Sequence, residues 1–323
     1  MISYKDLGLI NSKSLLLQAY ENNYAVPAFN FVCTEQLQAI VEACIIEKSS
    51  FILQASANVC KYMGIGFVHH LAAAAAEKVN REGKGIRMAL NLDHGLSLEE
   101  CVNCIDHGFS AVMIDGSAKS FQENIDITKQ VVEYASKHGV AVEGELGVLS
   151  GQEEGQNHSS HNYTDPSAVV EFVQKTGVDC LAVSVGTSHG MVKIKPNPDG
   201  SLPELRFDIL SEIRNKLSGF PLVLHGSSCI YPEYVEMINS YGGKIETVRG
   251  IPEEQVRRAA RETSVCKINV ASDGWIAATA AVRKALVENP SAIDPRFFLS
   301  PAKNEMINLY RKKIQNVMGS GGK

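Results

Sequence analysis

The chain has 323 residues, 45% apolar and 21% charged. Folded chains of this size hide roughly 75% of the surface they expose when unfolded, so disorder and collagen-like repetition are excluded. Acidic residues number 36 against 31 basic, a formal charge of -5, and Lys and Arg form no long basic run, so no nucleic-acid partner is expected. No stretch approaches the ~18 consecutive apolar residues of a membrane span, so no membrane insertion is expected. Eight cysteines at irregular positions, and no charged and apolar leader in Met1-Ile2-Ser3-Tyr4-Lys5-Asp6, point to free thiols in a reducing, cytoplasmic setting.

Short apolar, β-branched runs alternate along the chain with segments of helical period. Strands are expected at Ala25–Phe31, Phe51–Ser56, Arg87–Asp93, Ala111–Gly116, Ala141–Leu146, Cys180–Gly186, Pro221–His225 and Val265–Val270. Helical patterns run between them over Thr34–Lys48, Tyr62–Val79, Leu98–Asp106, Asn124–Lys137, Pro166–Lys175, Phe207–Leu217 and Pro252–Arg261. Thr34 suits a helix cap, Pro166 and Pro252 suit first turns, and Gly108, Gly139 and Gly177 suit helix ends. This order implies a parallel sheet covered by helices. Eight strands close it into a (β/α)8 TIM barrel, whereas a doubly wound sheet would use fewer strands and a Gly-rich first turn, which is missing after Phe31. Two segments break the rhythm: the polar residues 147–162, long enough to be a lid or binding loop, and the Pro- and Asn-rich residues 193–205. With no internal repeat and no linker, residues 1–323 read as a single α/β barrel domain. A C-terminal helical extension occupies about 290–323, with a helix at Pro301–Met318.

In such barrels the chemistry gathers at the C-terminal ends of the strands. There the sequence places Asp93-His94-Gly95, Asp115-Gly116-Ser117, Glu143 and Glu145, Thr187-Ser188-His189-Gly190, His225-Gly226-Ser227-Ser228 and Asn269. His94, His189 and His225 fall at equivalent strand ends, each before a glycine. Three neutral imidazoles leave a fourth position open, the pattern of catalytic zinc; the alternative is that each ring hydrogen-bonds within its own loop. Asp93 is either a general acid/base or a support for a histidine. Other signals are set aside. Cys101 and Cys104 lie mid-helix and read as core; His158 and His161 lie in the polar loop without partner ligands. The adjacent His69 and His70 are expected to point apart, and Trp275, Phe297 and Phe298 to pack the C-terminal helix.

Taken together, these residues resemble the class II, zinc-dependent fructose-1,6-bisphosphate aldolases. The resemblance runs from Tyr24-Ala25-Val26-Pro27-Ala28-Phe29-Asn30 through Leu92-Asp93-His94-Gly95, Val112-Met113-Ile114-Asp115-Gly116-Ser117 and Glu145-Leu146-Gly147. It continues through Gly151-Gln152-Glu153, Gly186-Thr187-Ser188-His189-Gly190, Leu224-His225-Gly226-Ser227-Ser228, Lys267-Ile268-Asn269 and Asp294-Pro295-Arg296. It implies one zinc per subunit on His94, His189 and His225, with Asp115 and Glu145 as supporting or alternative metal groups, and it leaves a monovalent cation open. Asp93 would move the proton at the C4 hydroxyl, and Glu153, rather than Glu154, would exchange the proton of the dihydroxyacetone phosphate half. Asn30, Gly190, Lys193, Gly226, Ser228, Asn269 and Ser272 would bind substrate, with Ser56 and Arg296 at the distal phosphate. In relatives that arginine can come from a neighbouring subunit, which implies a homodimer or larger assembly.

The resemblance implies reversible glycolytic cleavage of fructose 1,6-bisphosphate. The alternatives are a tagatose-bisphosphate aldolase, an inactive metal-binding sugar-phosphate sensor, and a lysine aldolase built on Lys267, which would leave the histidines without a role. Three positions depart from the family pattern. Asn91 stands where relatives commonly carry His, Ala271 where they carry Asp, and Trp275 where they often carry Arg.

Overall fold

The computed structural model describes residues 1–153, 156–158 and 162–323, without the side chains of residues 152, 153 and 156–158. Its strands are β1 (Val26–Asn30), β2 (Phe51–Ser56), β3 (Met88–Gly95), β4 (Ala111–Ile114), β5 (Ala141–Leu146), β6 (Gly151–Glu153), β7 (Gln156–His158), β8 (Cys180–Val183), β9 (Leu222–Leu224) and β10 (Val265–Val270). Eight of them close a parallel barrel in the order β1-β10-β9-β8-β5-β4-β3-β2, while β6 and β7 form a separate antiparallel hairpin. The expected TIM barrel is present, and every expected strand overlaps a barrel strand.

Both faces of this sheet are buried. Leu53, Leu90, Leu92, Val112 and Leu224 pack outward against the helices, while Ala28, Ile52, Ala89, Met113, Ala182 and Val223 fill the barrel interior. Side chains alternate between the two faces, so a strand buried on both reads as one apolar run. The helix Lys13–Asn22, which the sequence reading missed, sets Leu15, Leu16 and Ala19 against the interior cluster and closes the N-terminal end of the barrel.

Other boundaries differ from expectation. The helix expected at Tyr62–Val79 is two helices, Ala57–Met63 and Ile65–Glu82, divided at Gly64 with φ 85°. Helices Pro232–Ser240 and Ser272–Glu288 were also missed. The C-terminal helix begins at Pro295, carries Pro301 inside it and ends in a π-helical turn at Lys313–Met318. It packs on helices Thr34–Glu47 and Ser272–Glu288. Trp275 and Phe297, expected to pack it, are close to half exposed, at 45% and 47%. His69 and His70 do not diverge; their rings meet edge to face at 4.7 Å, and His69 Nδ1 lies 2.9 Å from the His107 carbonyl. Cys101 and Cys104 are buried, as expected. No helix among the described residues is long and apolar enough to cross a membrane.

Candidate active site and metal centre

Asp93 and His94 are neighbours on β3, yet both serve the barrel mouth. Successive strand residues normally face opposite sides. Here the β3–β4 register shifts between Leu92 and Gly95, and His94 takes φ 52°, a left-handed value rare for a residue with a Cβ. The irregularity turns His94 back toward the face that Asp93 already occupies, a use of bulges common beside active sites.

Asp93 is held at both carboxylate oxygens. Asn30 Nδ2 donates to Oδ2 at 2.7 Å and Asn269 Nδ2 to Oδ1 at 2.9 Å. Behind Asn30 the amides continue: Gln54 donates to Asn30 Oδ1 at 3.1 Å, and Asn91 donates to Gln54 Oε1 at 2.9 Å. All are buried. Asn91, a departure in the sequence, is therefore the far end of a continuous amide chain to Asp93.

The three expected histidines come together. His225 Nδ1 lies 2.8 Å from His94 Nε2, and the His189 ring stands 5.2 Å from that of His94 and 6.5 Å from that of His225, between centroids. His94 Nδ1 faces Asp115 at 3.1 Å and Glu145 at 3.8 Å. Asp93, His94 and His225 form one set of groups that could hold a metal ion, and His94, Asp115 and Glu145 form another.

The electrostatics favour a cation here. Burial alone would lower the His94 imidazole, but its hydrogen bond to Asp115 and the charges of Asp93 and Glu145 lift it to about 10. The carboxylates around His94 thus demand positive charge at this position. Burial, and then the other two imidazoles, push His189 well below the usual range; burial also lowers His225. Burial, and then Asp115, raise Glu145 well above the usual carboxylate range, and its Oε2 has no hydrogen-bond partner. The His94 and His225 ring nitrogens, the carboxylates beside them and the Glu145 Oε2 without a hydrogen-bond partner fit a divalent ion with mixed nitrogen and oxygen ligands; His189 is in neither set.

Asn30, Asp93, His189, Lys193, His225, Gly226, Ser228, Asn269 and Ala271 line one small cavity at the mouth. Burial pushes the Lys193 ammonium down to about 8, with Asp273 opposing. Gly226 has φ 62°, and a Cβ there would meet the Ser188 carbonyl at 2.6 Å. Ser272 is buried at the start of its helix. Gly190 follows His189 and is half-buried. Ser56 ends β2 opposite Asp93 and caps the next helix through Val59 N.

Arg296 is not brought to this cavity. Its side chain is 88% exposed and pairs with Asp294 at 2.7 Å. Glu153 has its backbone in β6, but its side chain, Glu154, and His161 lie outside the described residues, as does the side chain of His158. The sequence reading missed the roles of Glu143, Gln54 and Lys267. Glu143 Oε1 lies 2.8 Å from His225 Nε2 and Oε2 accepts from Lys267 Nζ at 2.6 Å. The signal was present: two opposite charges inside otherwise apolar strands almost always pair.

Residues 10–323 match the family model of class II fructose-bisphosphate aldolases. The chain belongs to that family. It is 48% identical to the fructose-bisphosphate aldolase of Treponema pallidum (strain Nichols), over 100% of both chains. It is 42% identical to the Giardia intestinalis fructose-bisphosphate aldolase, over 97% of this chain and 94% of that one. Among solved structures it is similar to the YdjI aldolase of Escherichia coli K12, with a TM-score of 0.74 and 26% identity over 97% and 98% of the two chains. As a class II aldolase the protein is a metal-dependent lyase acting on a sugar bisphosphate.

Proposed function

We propose that this aldolase reversibly cleaves fructose 1,6-bisphosphate to dihydroxyacetone phosphate and glyceraldehyde 3-phosphate, in cytoplasmic glycolysis and gluconeogenesis. Residues 1–323 act as one domain, with one zinc held by His94, His189 and His225. The observation that carries this reading is the doubly anchored Asp93 carboxylate beside the facing nitrogens of His94 and His225. Zinc, when bound, supplies a Lewis acid that polarises the ketone and stabilises the negative charge left as the C3–C4 bond breaks.

The chain's own residues do the rest. Asp93 takes the C4 hydroxyl proton in cleavage and returns it in synthesis; with Asn30 and Asn269 donating to its two oxygens, the carboxylate cannot swing away from the substrate. Glu153 exchanges the proton of the dihydroxyacetone phosphate half. Asp115 and Glu145 orient His94 and offer an alternative metal position. Gly190, Lys193, Gly226, Ser228, Asn269 and Ser272 bind the dihydroxyacetone phosphate moiety, through backbone N–H groups at the strand ends and the Lys193 charge. Ser56 and Arg296 hold the distal phosphate, the exposed Arg296 reaching the site of a neighbouring subunit in a homodimer or larger assembly. Lys267 is committed to Glu143, which argues against a Schiff base on it.

The test is cleavage of fructose 1,6-bisphosphate before chelation, after it, and with zinc restored, together with borohydride trapping. Activity should vanish with chelator, return with zinc and ignore borohydride; a trapped substrate adduct would overturn the proposal. Running both C4 epimers should show faster cleavage of the fructose than the tagatose bisphosphate. Zinc and substrate binding without turnover would instead mark a sensor.

A further inference from the structure

We propose that Glu143 and Lys267 are positioning residues for the metal centre: Glu143 selects the His225 tautomer, and Lys267 holds the carboxylate in the orientation that does so. The inference rests on the reading of His225 as a metal ligand.

The pair spans the closed interior of the barrel from β5 to β10, with side chains 4% and 1% exposed. Fold stability alone is a weak reason for it. Replacing a buried ion pair by well-packed apolar residues is often neutral or stabilising, and the neighbouring interior layer is already filled by Ala28, Ile52, Ala89 and Val223.

The division of labour between the two oxygens does account for it. Oε2 takes the Lys267 ammonium at 2.6 Å, with the Cys180 thiol at 3.9 Å. Oε1 is left for His225 Nε2 at 2.8 Å. A carboxylate only accepts, so Nε2 must carry the hydrogen. In a neutral imidazole the lone pair is then on Nδ1, and Nδ1 is the atom that faces His94 Nε2 at 2.8 Å. Without Glu143 the ring is free to take the other tautomer, which turns an N–H toward the cation site. Carboxylates that fix ligand histidines in this way set metal affinity.

Glu145 makes the contrast. It stands two residues along the same strand, and its Oε2 has no hydrogen-bond partner. One glutamate is spent on the protein; the other is kept for the site.

The experiment measures zinc affinity by competition with a chromogenic chelator, with melting temperature alongside. The proteins are the wild type, His225→Ala, Glu143→Gln and the charge-free double variant Glu143→Leu/Lys267→Met. Both Glu143 variants should lose zinc affinity by about 10- to 100-fold, with activity recovering in excess zinc and KM for fructose 1,6-bisphosphate unchanged. Nitrogen-15 spectra of the zinc-loaded wild type should show His225 protonated at Nε2 and bound through Nδ1. A double variant that melts differently but holds zinc as wild type does would reduce the pair to a structural element and overturn the inference, as would His225 bound through Nε2. If His225→Ala leaves zinc binding intact, the fault lies in the ligand assignment itself.

Discussion

Asn91 Nδ2 donates to Gln54 Oε1 at 2.9 Å, across the neighbouring strands β3 and β2, and this bond begins the amide chain that ends on Asp93. Gln54 is fully buried, so Gln54→Leu leaves Asn30 Oδ1 and Asn91 Nδ2 without their partner. An orphaned buried group costs about 1–3 kcal/mol, so the variant should melt several degrees lower and lose kcat as Asn30 loosens. Thermal unfolding alongside steady-state kinetics checks both, and wild-type kcat in a destabilised protein would show that the chain is structural only.

Asp93→Ala removes the proposed acid/base while leaving the histidines. General acid–base groups contribute about 10²–10⁴-fold, so kcat should fall by that range with zinc content near one per subunit. A rate equal to wild type would sink the assignment.

Lys193 sets a pH dependence. Burial holds its ammonium at about 8, below the ordinary lysine value of about 10.4. The charged form is therefore the costly one, so this group makes the ligand-free fold less stable below about pH 8 and relieves that cost as the pH rises toward 10. Phosphate affinity runs the other way, falling as the charge is lost. The wild type should show KM rising above about pH 8, and Lys193→Met should flatten that rise while raising KM at neutral pH by about 10- to 100-fold. A KM profile identical in both proteins would remove Lys193 from the phosphate site.

Gly226→Ala places a methyl 2.6 Å from the Ser188 carbonyl at a φ of 62°. The left-handed conformation alone costs about 1–2 kcal/mol for a residue with a Cβ. The loop has to shift, so KM should rise more than zinc affinity falls. Isothermal titration with dihydroxyacetone phosphate and zinc competition separate the two.

Lys313, in the C-terminal turn, pairs with Asp273 at 3.1 Å, and neither side chain is exposed. Asp273 also accepts from the backbone of Cys229 and Ile230, just beyond Ser228. Lys313→Met leaves a buried carboxylate uncompensated, at a cost of about 3–5 kcal/mol. Lys313→Met/Asp273→Asn should recover much of the melting temperature; a double variant as unstable as the single would show that the charge is not the cause.

The strands were legible because a parallel sheet covered on both faces needs unbroken apolar runs, and Ala111–Ile114 and Cys180–Val183 supply them. Helix Ser272–Glu288 was not, because Ser272-Asp273-Gly274 reads as a turn until Asp273 is seen buried against Lys313. The candidate ligands were legible as histidines at strand ends. Glu143 was not, since its partners His225 and Lys267 lie 82 and 124 residues away and meet it only once the barrel closes. Asn91 looked like a loss because a missing imidazole is visible in sequence, whereas an amide-to-amide bond to Gln54 is not.

The three imidazoles are tied to different parts of the fold. His94 leans on Asp115, and His225 on Glu143. His189 sits on an irregular stretch whose backbone hangs from the foot of the β6–β7 hairpin: its N–H donates to the Ser150 carbonyl at 2.8 Å, and a Cβ on Gly151 would strike its carbonyl at 2.4 Å. The foot of the hairpin and the His189 backbone are thus packed as one unit, so a larger residue at Gly151 would displace His189 as well as the hairpin.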